Sequence, residues 1–231
     1  MLLLQFSTSH YCRKARLALG YKGISYQVEN LTPGLHLLKI RPLTGGLTTV
    51  PVLLPQIEGQ PQAIADSTKI FKFLESFCPH PPLFLPDPHL QAEAWMLEDW
   101  LDESIGTATR FVYYEFRAGP GKAIDPSLFS QLVIQTVRRQ YRIHKASVEL
   151  AADRLKSAIE ILGNRWQAKP YLVGDRLSVA DIAAAALLSP LALIPQYRQS
   201  YPWLFDRLSE IHQLCQAPLP PGLSAEAETS S

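Results

Sequence analysis

One short run of prolines divides this chain into two kinds of sequence. The segment Cys78–Pro88, read CPHPPLFLPDP, holds five prolines in eleven residues. Proline fixes φ and removes a backbone donor, so neither a helix nor a central strand passes through such a run. Before it, short apolar runs alternate with helical stripes. After it, strand signals vanish. The run reads as a stiff linker over residues 78–88, between an α/β domain over 1–77 and an all-helical domain over 89–215.

Within the first part, Leu2–Phe6 is an apolar run ending in Ser-Thr-Ser, the pattern of a buried strand followed by a helix start. Ala15, Leu17, Ala18 and Leu19 suit one helix face, closed by Tyr-Lys-Gly. Strands are expected at Tyr26–Leu31, Val50–Leu54 and Ala63–Ala65, with a turn at Ile57–Gln60 and a short helix at Gly34–Ile40. Ile70, Phe71, Phe73, Leu74 and Phe77 form the stripe of a third helix. The order is βαβαββα. In the second part, a helical pattern opens at Trp95 and breaks near Ala118–Gly121, and another runs from Leu128 to Leu162, long for one uninterrupted helix. Ser178–Asp181 is a capping box with Leu177 and Ile182 as its hydrophobic staple. The Ala- and Leu-rich helix it starts is apolar all round, hence central. Residues 216–231 are rich in Pro, Gly, Ser and Glu and read as a disordered tail.

Charge narrows the partners. The chain carries 22 Lys and Arg against 21 Asp and Glu, a net charge of +1, which gives no global case for nucleic acid or an anionic membrane. Residues 1–85 hold 8 basic and 4 acidic side chains, a mildly basic balance that suits a small anionic ligand. Cys12, Cys78 and Cys215 are far apart and odd in number, so they read as reduced thiols; no metal spacing occurs, and no metal is expected. No stretch is apolar enough for a membrane span or a signal peptide, and a cytoplasmic location is expected.

Three features converge on one chemistry. Ser9-His10-Tyr11-Cys12 stands between a strand end and a helix start, where unpaired N–H groups and the helix dipole stabilise an anion such as a thiolate. Val50–Pro51 opens a strand, and a cis bond there would turn the Val50 backbone outward to a peptide-like ligand. Asp66-Ser67 heads the third helix, where a carboxylate beside free N–H groups can hold an amino-acid end.

Their order resembles the glutathione transferase superfamily over nearly the whole chain. The motif at Ser9–Cys12, the segment from Arg41-Pro42 to Val50-Pro51-Val52-Leu53, the pair Asp66-Ser67, and the stretches Tyr171–Asp175 and Ser178–Ile182 carry the likeness. The resemblance implies an N-terminal thioredoxin-like domain, a C-terminal all-helical domain and a homodimer. It implies glutathione as co-substrate, conjugated to a small electrophile. Ser9 would hydrogen-bond the glutathione sulfur, Val50 and Pro51 would face its cysteinyl backbone, and Asp66 with Ser67 would hold its γ-glutamyl end. Lys39 and Arg41 are candidates for the glycyl carboxylate, and His10, Tyr11, Tyr113 and Tyr114 for the electrophile pocket. A thiol reductase or isomerase of the same superfamily, and a non-catalytic binding or assembly protein, are the competing readings.

Overall fold

The computed structural model describes residues 1–223. Four strands form one sheet in the order β2-β1-β3-β4: β1 (Leu2–Gln5), β2 (Gln27–Asn30), β3 (Val52–Leu54) and β4 (Ile64–Ala65). β1 and β2 are parallel, whereas β3 is antiparallel to both β1 and β4. Helices α1 (His10–Tyr21), α2 (His36–Thr44) and α3 (Ser67–Phe77) complete the expected βαβαββα order. Alternation along the strands sends Leu3, Leu53 and Ile64 to the face covered by α1 and α3. Leu4, Val52 and Ala65 point the other way, onto Ile40 of α2.

The second helix differs from its sequence reading. It runs through Pro42 to Thr44 and stops at Gly45, whose φ of +68° suits a residue without Cβ. Pro42 lies in the last turn of a nine-residue helix, so little of the hydrogen-bond ladder remains to be disrupted.

Beyond the proline run come α4 (Pro88–Trp100), a π-helical turn (Leu101–Ile105), and α5 (Gly106–Ala118). The break expected at Ala118–Gly121 is a 3-10 turn over Pro120–Ile124. The long pattern from Leu128 resolves into α6 (Leu128–Gln140) and α7 (Lys145–Ala168). The central helix is α8 (Val179–Leu188), every residue of it buried. Its capping box does more than close a helix. The Asp181 carboxylate accepts from the Ser178 N–H and hydroxyl, the Leu172 N–H at 2.8 Å and Trp166 Nε1 at 3.2 Å. One buried acid thereby pins α7, the loop after it and α8 together.

Two further helices, α9 (Pro195–Ser200) and α10 (Pro202–Leu214), close the bundle. Gly20 permits the last approach: a Cβ there would sit 2.0 Å from the Cys215 carbonyl oxygen. Residues 216–223 depart from the expected tail. Ala217 and Leu223 pack on the core, and Arg198 donates to the Gly222 carbonyl at 2.7 Å. The rest of that tail, 224–231, lies outside the described residues.

Acid sensitivity is built into α10. His212 is fully buried, and its Nδ1 faces the Leu208 carbonyl at 2.7 Å, which requires the proton on Nδ1. Burial, with Arg13 and Arg16 nearby, pushes its pKa down to about 4. Between ~6.5 and that value the unfolded chain binds a proton that the folded chain does not, so stability falls as pH drops through this window. Acid denaturation should therefore begin near pH 6, with His212 contributing ~3 kcal/mol of the loss by pH 4. Urea titrations of wild type and His212→Leu should show a shallower pH dependence in the variant; parallel curves would refute the assignment.

Candidate functional site

The sheet register brings the three sequence features to one edge. Leu4 of β1 pairs with Val52 of β3, which pairs with Ala65 of β4. The end of β1, the start of β3 and the end of β4 therefore lie side by side. The chain leaves these points as Phe6–Ser9, enters as Val50–Pro51, and leaves again as Asp66–Ser67.

Ser9 is the N-cap of α1, and its Oγ accepts from the Cys12 N–H at 3.3 Å. The acceptor role is taken, and the hydroxyl proton remains available as a donor. Cys12 is fully buried, and burial pushes its thiol pKa up. It is no second reactive thiol. Ser7 and Thr8 are exposed on the same turn.

The Val50–Pro51 bond is cis, and the ladder begins only at Val52. The preceding loop is tied down by a residue that sequence reasoning passed over. His36 Nδ1 accepts from the Gly34 N–H at 3.0 Å, so its Nε2 carries the proton and donates to the Thr48 carbonyl at 3.2 Å. The ring of Phe6, on the β1–α1 turn, packs edge-on against His36 with centroids 4.9 Å apart.

Asp66 caps α3 from a strained backbone. Its φ is +83°, a region that costs a side-chain-bearing residue roughly 1–3 kcal/mol and recurs at ligand sites. Oδ1 accepts from the Thr68 and Lys69 N–H groups, both at 3.0 Å, and Oδ2 has no partner among the described residues. Ser67 is buried beside it.

Thr68 links this turn to the helical domain. Its hydroxyl donates to Glu98 of α4 at 2.7 Å, and Glu98 also pairs with Lys14 of α1. The Lys14 ammonium, with no solvent exposure, reaches Asp102 of the π-helical turn at 2.6 Å and Thr68 Oγ1 at 3.2 Å. Burial pushes the Glu98 pKa up, and Lys14 is the chief opposing influence. The Asp102 carbonyl accepts from the Tyr11 hydroxyl at 2.8 Å. That contact needs Gly106, where a Cβ would stand 2.8 Å from the Tyr11 oxygen.

The remaining expected residues divide. His10 is the first residue of α1, 7% exposed and packed on Tyr11 with centroids 4.6 Å apart. Lys39 pairs with Glu29 of β2 at 2.6 Å on the exposed surface. Arg41 is exposed in the last turn of α2. Tyr113 is turned toward α6: it accepts from Arg117 at 3.0 Å, and Arg117 also reaches Ser130. Its neighbour Tyr114 stays near Arg110, and burial pushes its phenol up to about 12. Among the described residues, no group of three or more His, Cys, Asp or Glu is placed to hold a metal, and no helix is long and apolar enough to cross a membrane.

Comparison with known proteins decides the family. Residues 3–82 match the profile of the glutathione S-transferase N-terminal domain, and residues 145–217 that of its C-terminal domain. The chain belongs to the glutathione S-transferase superfamily. Its sheet layer is the thioredoxin-like domain of that superfamily, and its bundle the helical domain. A glutathione S-transferase domain-containing protein of Dictyostelium discoideum is 26% identical over 71% of this chain, a match that spans only 56% of that longer protein. FtsZ-localized protein A of Caulobacter vibrioides is 25% identical, over 83% of this chain and 75% of that protein. A glutathione S-transferase of Methylobacterium radiotolerans, solved in complex with glutathione sulfonate, superposes with a TM-score of 0.66 at 21% identity, covering 96% of this chain and 92% of that one.

The buried Lys14 cluster should govern the stability of this glutathione S-transferase superfamily member. Lys14→Met would leave Glu98 and Asp102 buried without their cation, a loss of about 3–5 kcal/mol. Chemical denaturation should show that loss, with a partial recovery in Lys14→Met/Glu98→Gln. A loss below ~1 kcal/mol would mean that the cluster is solvated.

Proposed function

We propose that the protein is a glutathione transferase, which joins the glutathione thiolate to small electrophiles in the cytoplasm, as a homodimer serving detoxification. The observation that carries this reading is the convergence of Ser9, Val50 and Asp66-Ser67 on one sheet edge. The γ-glutamyl ammonium would meet the open Oδ2 of Asp66, and its carboxylate the N-terminus of α3. The cysteinyl backbone would lie along Val50, and its sulfur would reach Ser9. Lys39 and Arg41 are the candidates for the glycyl carboxylate.

A free thiol has a pKa of ~8.5 and is a few per cent thiolate at neutral pH. One hydroxyl bond to the charged sulfur and the first N–H groups of α1 would lower that value by a unit or two, at ~1.4 kcal/mol each. The thiol proton goes to solvent. The sulfur then forms a bond to the electrophilic carbon while a leaving group departs with its electron pair, or an unsaturated acceptor takes up a proton. The buried Cys12 supports conjugation over dithiol reduction, because mixed-disulfide exchange needs an accessible protein thiolate.

A second reading follows from the likeness to FtsZ-localized protein A, whose name denotes association with another protein and not a reaction. A binding or assembly role on the same fold would leave the Ser9 turn without catalytic work.

Steady-state conjugation of chlorodinitrobenzene separates these readings. Ser9→Ala should lower kcat by ~10–100-fold, the worth of one charge-assisted hydrogen bond of roughly 1.5–3 kcal/mol. Glutathione affinity should fall less. Intact turnover in Ser9→Ala, with loss in Ser7→Ala, would move the donor to Ser7. Wild-type protein that neither binds glutathione nor turns over would favour the assembly role.

A further inference from the structure

Beside the Ser9 turn stands a cation without a counter-ion. Arg110, on α5, is half-buried, and among the described residues it makes no hydrogen bond and no ion pair. Its guanidinium carbon lies 4.5 Å from the centroid of the Tyr141 ring and 5.2 Å from that of Tyr11. The other half-buried or buried arginines of the helical domain are engaged. Arg117 donates to Tyr113, Arg138 pairs with Glu115, Arg165 with Glu93 and Arg207 with Glu210. Stacking on an aromatic face leaves the guanidinium edge, with its fork of N–H donors, open to solvent and to a ligand.

A second unsatisfied group lies against the first. His10 packs on Tyr11, and its Nε2 is buried with no partner. A buried ring nitrogen left unpaired is unfavourable, and a group arriving from outside the chain can satisfy it. Burial, followed by the charge of Arg110 and opposed by the Gly106 backbone, pushes its pKa down to about 3, so the ring is neutral, and with its proton on Nε2 it can donate an N–H without contributing a charge. Arg13, one turn further along α1, also has no acidic partner among the described residues. Positive charge and this ring nitrogen thus meet where α1 begins, beside the Tyr11 and Tyr141 rings.

We propose that Arg110 and His10, flanked by the Tyr11 and Tyr141 rings, bind the carboxylate of a planar aromatic acid, and so select anionic aromatic electrophiles for the thiolate formed at Ser9. The substrate role rests on the glutathione transferase reading; the anion preference does not. A carboxylate fits both groups: two oxygens match the Arg110 fork, and one can also accept from His10 Nε2. An aryl ring attached to it would have the flanking tyrosine rings to pack on. The γ-glutamyl end of glutathione has its own place at Asp66-Ser67, on the far side of the Ser9 turn along the sheet edge.

Equilibrium binding of two unreactive, nearly isosteric ligands reads this site without any chemistry. Isothermal titration of the full chain with para-nitrobenzoate and para-nitrobenzamide should show the acid bound ~10–100-fold more tightly, as one charge-assisted contact dictates. Arg110→Gln should erase the preference. Arg110→Lys, which keeps the charge and loses the planar fork, should retain part of it and serves as the check that the fold survives. His10→Phe should reduce it several-fold. Equal affinity for the two ligands in wild type, or a preference that survives Arg110→Gln in a folded protein, would overturn the proposal. Glutathione titrated in the same series keeps the two readings apart. A chain that prefers the acid but does not bind glutathione would overturn the transferase reading and the substrate role while upholding the anion site. A chain that binds glutathione but shows no preference would overturn the anion site alone. A turnover loss in Arg110→Gln that is equal for chlorodinitrobenzene and chloronitrobenzoate would assign Arg110 to the thiolate and contradict selection.

Discussion

A lysine with no exposure to solvent holds the two halves of this protein in register. Lys14 is on α1 of the thioredoxin-like domain, and its partners Glu98 and Asp102 are on α4 and the π-helical turn of the helical domain. Removing these charges from water costs several kcal/mol per ion, repaid only when geometry and extra hydrogen bonds satisfy them. Thr68 supplies one such bond from the head of α3. The network is therefore weak evidence of net stabilisation and stronger evidence of specificity, because any slippage between the domains would leave a buried charge unpaired. Two anion-stabilising helix starts, those of α1 and α3, are thereby fixed to one frame.

The π-helical turn follows from the same frame. An extra residue in the helix between Pro88 and Ala118 aims the Asp102 carboxylate at Lys14 and the Asp102 carbonyl at the Tyr11 hydroxyl. Gly106 then clears space for the Tyr11 ring. The outcome is a Ser9 turn held from both sides: by Tyr11 on the helical domain and, through Phe6 against His36, by the loop that carries Val50. A hydroxyl donor with its acceptor role already filled, set at a helix N-terminus, suits a thiolate that belongs to a ligand. It does not suit a protein thiol, and the buried Cys12 fits that division.

What the sequence disclosed was local, and what it hid was long-range. The Ser178–Asp181 capping box and the Ser9 and Asp66 caps are readable because each is set by neighbours within three residues. The proline run is readable because proline's effect is intrinsic. The four Asp181 bonds are half legible, since the two from Ser178 lie within the motif and those from Trp166 and Leu172 do not. The Lys14–Glu98 pair spans 84 residues, and nothing in either neighbourhood marks it. Lys39 illustrates the converse. Its position suits a carboxylate anchor, and its pairing with Glu29 of β2 is invisible without the register. Tyr113 and Tyr114 are adjacent and chemically alike; only the helix phase, which turns Tyr113 to Arg117, tells them apart. His10 looked like a turn residue until the position of α5 buried it.

A frame built this way lowers the pKa of a bound thiol. Ultraviolet absorbance of the glutathione thiolate, titrated with pH in the presence of saturating protein, measures it directly. The expected apparent pKa lies one to two units below the ~8.5 of a free thiol. A bound thiol that titrates at its free value would contradict the account.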